Sequence, residues 1–239
     1  MRAEKNLKIY EYVIICTFVA VGAAMSLIAS YCDFFSEYDT TSLKYCGIAL
    51  CACFALYSTA TGKKFAYIVF AALGFTLVAD YFLLVKNEYY DVGVSAFIIA
   101  QTCYFIKIYL ERGRFPSVSL AVRSLAFVAA SACLFILKLA EPLTVLAAAY
   151  AVSLLGNVVE SYFNVRFGVG DLIFAVGLTA FACCDVCVLA FNLGDFIDIP
   201  LSSSALDVIV NLAWVFYLPS QIAISLSSAK LGDTRRLRR

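Results

Sequence analysis

Eight stretches of this chain run for about 20 residues each with few charges: about 9–30, 43–61, 65–85, 93–111, 118–138, 143–160, 170–192 and 204–227. Nothing else in the sequence restricts the fold as tightly. A run of that length, coiled as an α-helix, spans the hydrocarbon core of a bilayer. Lipid offers no partner to a backbone amide, which leaves only helices or closed barrels. Barrel strands read as short alternating segments, whereas these runs are continuous. Only 15% of the 239 residues are charged and 63% are hydrophobic, with a mean hydropathy of +0.90. A soluble domain carries about 25% charged residues, so the polar residues here are too few to cover a globule. The expected fold is all-α: a polytopic membrane protein, one transmembrane domain over 1–239, built as a bundle of eight transmembrane helices.

The first run follows the basic segment "MRAEKNLK", as in a signal peptide, but it is longer than a signal core and no A-x-A site follows it. It is read as the first helix. The connections then alternate in charge. Arg2, Lys5 and Lys8 precede the first span; "YCDFFSEYDTT" holds Asp33, Glu37 and Asp39. "GKK" brings Lys63 and Lys64, and "KNEYYDVG" is mixed. "ERGRF" brings Arg112 and Arg114, and "KLAEP" is short. Arg166 follows, then "GDFIDIP" with Asp195 and Asp198, and the tail "AKLGDTRRLRR". Basic residues gather on every second connection and at both ends, so the positive-inside rule places both termini in the cytoplasm. The net charge of +1 gives no footing for nucleic-acid binding, and "RRLRR" reads as an anchor to anionic lipid.

Two carboxylates interrupt the apolar runs: Asp80 in "LVADYFLL" and Asp185 in "FACCDVCVLAF". Both lie late in outward-running spans, the third and the seventh, roughly 8–11 Å below the outer boundary at 1.5 Å per residue. An aspartate at such depth costs about 2.5–3.5 kcal/mol on insertion scales and faces a bundle interior or a wet cavity. If the third and seventh helices are adjacent, the two carboxylates share a site. The blander account is a hydrogen-bonded pair between helices, or an aspartate hydrated from the interface.

Polar residues at matching depth extend the pattern. Gln101 and Tyr104 stand one turn apart in "FIIAQTCYFIKIY". Tyr217, Ser220 and Gln221 share one face of "WVFYLPSQIAI". Pro219 lacks a backbone donor and is expected to kink the last helix toward the site. Tyr150 and Asn157 lie two turns apart in the sixth span. Singly, such residues serve as glue between helices. Spans three–four and seven–eight resemble each other faintly, each an outward run with a late aspartate and then an inward run with tyrosine and glutamine, as in a parallel repeat.

Other features carry structural readings. Cys184 and Cys187 share a helix face, but the chain has no histidine and no second cysteine pair to complete a tetrahedral set, so no metal site is expected. The ten cysteines act as small apolar side chains. Asp171 caps the seventh helix at its positive end, and Arg123 snorkels to the cytoplasmic face.

At these residues the chain resembles the YhhN family of lysoplasmalogenase-like membrane proteins. "ALGFTLVADYFLL" is similar to the family's glycine-and-aspartate helix, and "GVSAFIIAQTCYFIKIY" to its Gly-x-x-x-Phe helix ending in tyrosine. "GDLIFAVGLTAFACCDVCVLAF" is similar to its Gly-x-x-x-Phe-x-x-Ser-Asp helix, and "VFYLPSQIAISLS" to its closing Tyr-x-x-x-Gln helix. The likeness covers roughly 65–112 and 143–228. There are three departures: Gln101 stands where the family usually has histidine, Ala79 replaces the glycine before the first aspartate, and Cys184 replaces the serine before the second.

The resemblance implies hydrolysis of the vinyl ether of lysoplasmalogens to a fatty aldehyde and a glycerophospho-alcohol. It also implies a location in a bacterial cytoplasmic membrane, and no cofactor. That chemistry needs an acid to protonate the vinyl carbon and a base or counter-charge beside it. Two neighbouring carboxyls sharing one proton supply both. Asp80 and Asp185 are therefore the candidate catalytic residues, one giving the proton and the other orienting water. Gln101, Tyr104, Tyr150, Asn157, Tyr217 and Gln221 are the candidate substrate-binding residues for a lysophospholipid entering from the surrounding lipid. Lys86 and Lys138 are the cations on the outer loops, as phosphate contacts or as snorkelling anchors. The rival classes are a proton-coupled or small-solute transporter, and a non-catalytic lipid-binding member of the same fold.

Overall fold

All eight apolar runs are helical. The computed structural model describes residues 2–36, 38–192 and 202–229, with side chains from residue 9 onward. The helices are α1 (Arg2–Phe35), α2 (Thr41–Ala60), α3 (Ala66–Asp80), α4 (Tyr90–Arg112), α5 (Ser117–Ile136), α6 (Pro142–Tyr162), α7 (Val169–Asn192) and α8 (Ser203–Leu226). Among the described residues there is no strand, and each of the eight helical spans is long and apolar enough to cross a membrane. Glu37, Asp195, Asp198, the side chains of Arg2, Lys5 and Lys8, and the tail from Lys230 lie outside the described residues.

Local chemistry sets the ends. Pro142 opens α6, its missing amide being one that no helix start could pair. Glu141 and Thr144 close a reciprocal capping box there. Ser202 accepts the Ala205 amide at the start of α8 at 3.3 Å. Gly113, at φ +65°, ends α4 in the left-handed conformation that glycine adopts without strain. Lys63, between α2 and α3, donates its ammonium to the Ser227 and Ala229 carbonyls, satisfying acceptors that the end of α8 leaves open.

α8 organises the bundle, packing on α7, α1, α2 and, more lightly, α3. α4 lies against α3 and α6, and α6 carries α7 and α5. Apolar side chains gain little from one another in lipid, so close backbone approach and polar contacts between helices hold such bundles together. Gly177 illustrates this. A Cβ there would stand 3.0 Å from the Ile224 amide nitrogen and 3.1 Å from the Ser220 carbonyl oxygen, so α7 and α8 approach this closely only at glycine. α5 is the outlier, with no buried residue.

The ends of α1, α3, α5 and α7 define what is called here the distal face; the opposite face, toward the termini, is the terminal face. A π-helical turn, Tyr81–Lys86, follows α3 directly at Asp80. Such turns insert an extra residue into the ladder and occur frequently at functional sites.

Candidate active site

The two aspartates sit at matched depth, six and seven residues from the distal ends of their helical spans at Lys86 and Asn192, roughly 10 Å at 1.5 Å per residue. Asp80 is 4% exposed. Both of its carboxyl oxygens contact the Tyr217 hydroxyl of α8, at 2.8 and 2.7 Å. Asp185 is half-buried, and its Oδ2 accepts a hydrogen bond from Tyr150 of α6 at 2.6 Å. The two carboxyls lie within electrostatic reach of each other. α3 and α7 are not among the principal packed pairs, so the adjacency on which a shared site was conditional is not a main contact of the bundle. Each carboxyl is held by a tyrosine from another helix, Asp80 by Tyr217 of α8 and Asp185 by Tyr150 of α6.

Aromatic rings join the two halves. Phe97 packs against Tyr150 at 5.6 Å and edge-on to Phe181 at 5.7 Å. Phe181 is edge-on to Tyr217, and Trp214 to the other side of Tyr217, both at 5.4 Å. Edge-to-face pairs of this kind fix ring orientation, so the Tyr217 hydroxyl is aimed at Asp80 by packing.

Gln101 and Asn157 form a second group. The Asn157 side-chain amide donates to the Gln101 backbone carbonyl at 2.8 Å and to Gln101 Oε1 at 2.9 Å. Asn157 Oδ1 in turn accepts from Arg123 at 2.9 Å. The expectation that Arg123 snorkels to the surface is corrected. Its guanidinium also bonds the Ser153 carbonyl at 3.0 Å and Ser119 at 3.2 Å, pairs with Glu160 at 3.1 Å, and stacks on Phe105. It ties α5 to α6, and Gly156 is the position that admits it, since a Cβ there would lie 2.5 Å from Cζ. Asn157 therefore holds helices together and orients Gln101, one step removed from the carboxyls.

Tyr104 is fully buried, with its hydroxyl beside that of Thr76 on α3. Gln221 is fully buried too, its amide nitrogen donating to Ser220 at 3.2 Å. Lys86 and Lys138 are exposed, away from the aspartates' hydrogen bonds. Cys184 is buried and Cys187 part-buried, both free thiols, and no metal-binding cluster occurs among the described residues. Asp171, in the first turn of α7, stands 3.9 Å from Lys107.

Two features escaped the sequence reading. Thr76 precedes Asp80 by four residues and so shares its face, a spacing that was there to be read. Lys44 was passed over as an apolar-span residue. It is buried, pairs with Asp33 at 2.9 Å, and lies over the Trp214 ring at 4.3 Å, so the cation nearest the aromatic frame comes from within a span and not from a loop.

Eight apolar helices enclosing a buried carboxyl, with a second one at its rim, define an integral membrane protein with a polar site inside the bundle. The sequence model of the YhhN family matches residues 40–228, most of the chain and every helix but α1. The chain belongs to the YhhN family. No curated protein and no solved structure matches it.

Proposed function

We propose that this protein is a membrane-embedded hydrolase that cleaves the vinyl ether of lysoplasmalogen-type lysophospholipids, with Asp80 and Asp185 as its acid–base pair. The observation that carries this reading is the double contact of Asp80 with one phenol. Both oxygens share the one proton of the Tyr217 hydroxyl, and a buried carboxyl with so little to compensate a full charge is read here as the neutral acid. A carboxyl that holds its proton in a buried, aromatic-walled site is the acid that vinyl ether cleavage requires.

In this mechanism Asp80 gives its proton to the β-carbon of the vinyl ether, leaving an oxocarbenium at the α-carbon. Tyr217 then donates to the carboxylate just formed. Asp185, with one oxygen held by Tyr150 and the other at the rim, supplies the counter-charge to the cation. Water adds to the α-carbon, and the hemiacetal collapses to a fatty aldehyde and a glycerophospho-alcohol. Its position at the rim also suits a single-chain amphiphile entering sideways from lipid. The charge pattern of the connections supports cytoplasmic termini, which puts the site toward the outer leaflet.

The test is aldehyde release from a 1-alkenyl lysophospholipid in detergent micelles. Asp80→Asn is expected to lose about 10²–10⁴-fold, the range of general acid–base catalysis, and Asp185→Asn to fall steeply as well. Full turnover by both variants, or no aldehyde from the unaltered protein, refutes the reading. Lysolipid binding without turnover marks a lipid-binding member of the fold instead.

A further inference from the structure

Among the buried side-chain polar atoms of the described residues, Thr76 Oγ1, Gln101 Nε2, Tyr104 Oη and Gln221 Oε1 make no hydrogen bond of normal length, although the Tyr104 and Thr76 hydroxyls neighbour each other. All four residues are fully buried. Native interiors leave few such groups unpaired, and each calls for an explanation.

Their placement supplies one. Asp80 and Tyr217 touch across the α3–α8 contact. Thr76 lies four residues before Asp80, and Gln221 four residues after Tyr217. The two helices run in opposite directions, so both steps lead one turn toward the terminal face and bring Thr76 and Gln221 to one level. One turn further along α8, Ser225 bonds the Cys51 carbonyl of α2, which confirms that this face of α8 looks inward. The Tyr104 hydroxyl stands beside Thr76 at that level. Gln101, one turn nearer the distal face on α4, brings its free amide nitrogen to the level of Asp80. Two hydroxyls and an amide carbonyl thus lie at one level behind the acid, and all are neutral. A small neutral ligand that both donates and accepts matches this set, and a buried water typically takes about three such partners.

We infer that Thr76, Tyr104 and Gln221 form a built water site behind Asp80, and that this site supplies the nucleophile for the second half of the reaction. The last clause rests on the hydrolase reading; the water site itself does not. After Asp80 has given its proton to the vinyl carbon it is a carboxylate. The water's oxygen bonds the α-carbon of the oxocarbenium while one of its protons returns to Asp80, which restores the starting protonation. Thr76, Tyr104 and Gln221 are positioning residues: they aim the water and touch no reacting carbon.

The substrate provides an internal clock for this step. A lysolipid has a free hydroxyl on glycerol C2, and that oxygen competes with water for the same cation. If it wins, its O–C bond closes a five-membered cyclic acetal, its proton goes to the carboxylate, and no aldehyde forms. Thr76→Val and Tyr104→Phe keep shape and remove one water contact each. Each is expected to raise the ratio of cyclic acetal to aldehyde on the order of tenfold, the equivalent of one lost positioning contact. A structural role alone would lower total turnover without changing that ratio. An unchanged ratio in both variants overturns the delivery role.

Thermal unfolding in micelles tests the site without any turnover. Removing a hydroxyl that binds water strands the water's other partners, so Thr76→Val is expected to lower Tm by about 2–8 °C. A hydroxyl that is merely orphaned is better replaced by a methyl, and a raised Tm overturns the water site. If the unaltered protein releases no aldehyde while Thr76→Val still lowers Tm, the hydrolase reading has failed and the water site stands.

Discussion

Tyr217→Phe separates the chemistry proposed for Asp80 from the packing around it. The ring is held edge-on by Phe181 and by Trp214, both with centroids at 5.4 Å, and phenylalanine keeps both contacts. What is lost is the hydroxyl that meets both oxygens of Asp80, at 2.8 and 2.7 Å. Before reaction the carboxyl is neutral and the bond is an ordinary one. As the proton leaves, the phenol becomes a donor to a full carboxylate, and such a bond is worth about 1.5–3 kcal/mol. The interaction strengthens along the reaction coordinate, so its removal is felt in kcat more than in substrate binding. Only the gain over the ordinary bond of about 0.5–1.5 kcal/mol counts, about 1–1.5 kcal/mol, so at 1.36 kcal/mol per decade the expected loss is about 5- to 13-fold in kcat. Tyr150→Phe removes the single bond to half-buried Asp185, which supplies counter-charge and not the transferred proton, and is expected to fall less. The assay is steady-state aldehyde release, with circular dichroism confirming unchanged helix content. A Tyr217→Phe protein within twofold of the parent refutes the assignment of Asp80 as the proton donor. So does a Tyr150→Phe loss that exceeds it.

Two further outcomes are expected. Arg123→Met keeps the stem of the side chain but leaves Glu160 and Asn157 Oδ1 without their cation. The pair is 14% and 12% exposed, so the loss lies near the lower end for a broken buried pair, about 3 kcal/mol. That corresponds to a Tm lower by about 6–12 °C in detergent, and a shift under about 2 °C contradicts the clamp. Sidedness is tested in a background without native thiols, by placing cysteine at Lys138 on the distal face and at Arg114 on the terminal face. A membrane-impermeant maleimide is expected to label the first in intact cells and the second only after permeabilisation, and the reverse pattern overturns cytoplasmic termini.

The helices were legible because lipid simplifies the code. Hydrocarbon forbids unpaired amides, so a continuous apolar run has one outcome, and its length is set by the bilayer. Even so, α1 extends to Phe35, past the expected end near residue 30. The polar "YCD" stretch can still coil where the helix leaves the hydrocarbon. Charged residues within spans were read less well. Lys44 and Lys107 look like blemishes in apolar runs, yet both are buried and ion-paired, Lys44 with Asp33 and Lys107 with Glu111 at 3.1 Å. Arg123 looked close enough to a helix end to reach water. Its partners Asn157 and Glu160 are contributed by α6, and the sequence carries no sign of which neighbour will face it.

The site was legible in depth but not in rotation. Residue counting along a helix gives height in the membrane with little error, and it placed Asp80 and Asp185 at one level. It says nothing about which helices stand side by side, and the two aspartates turned out to approach without α3 and α7 being a principal packed pair. Periodicity recovers rotation only relative to a known contact. Once Tyr217 is seen to meet Asp80, the fourfold spacings to Thr76 and Gln221 fix the polar level beneath them; before that contact is known, Thr76 is one threonine among several. The family's histidine position shows the same limit. Gln101 is aligned by depth with Asp80, but its side-chain carbonyl accepts from Asn157 on α6. Among the described hydrogen bonds Gln101 makes none to Asp80 or Tyr217, so matching depth alone does not bring it to the proton donor.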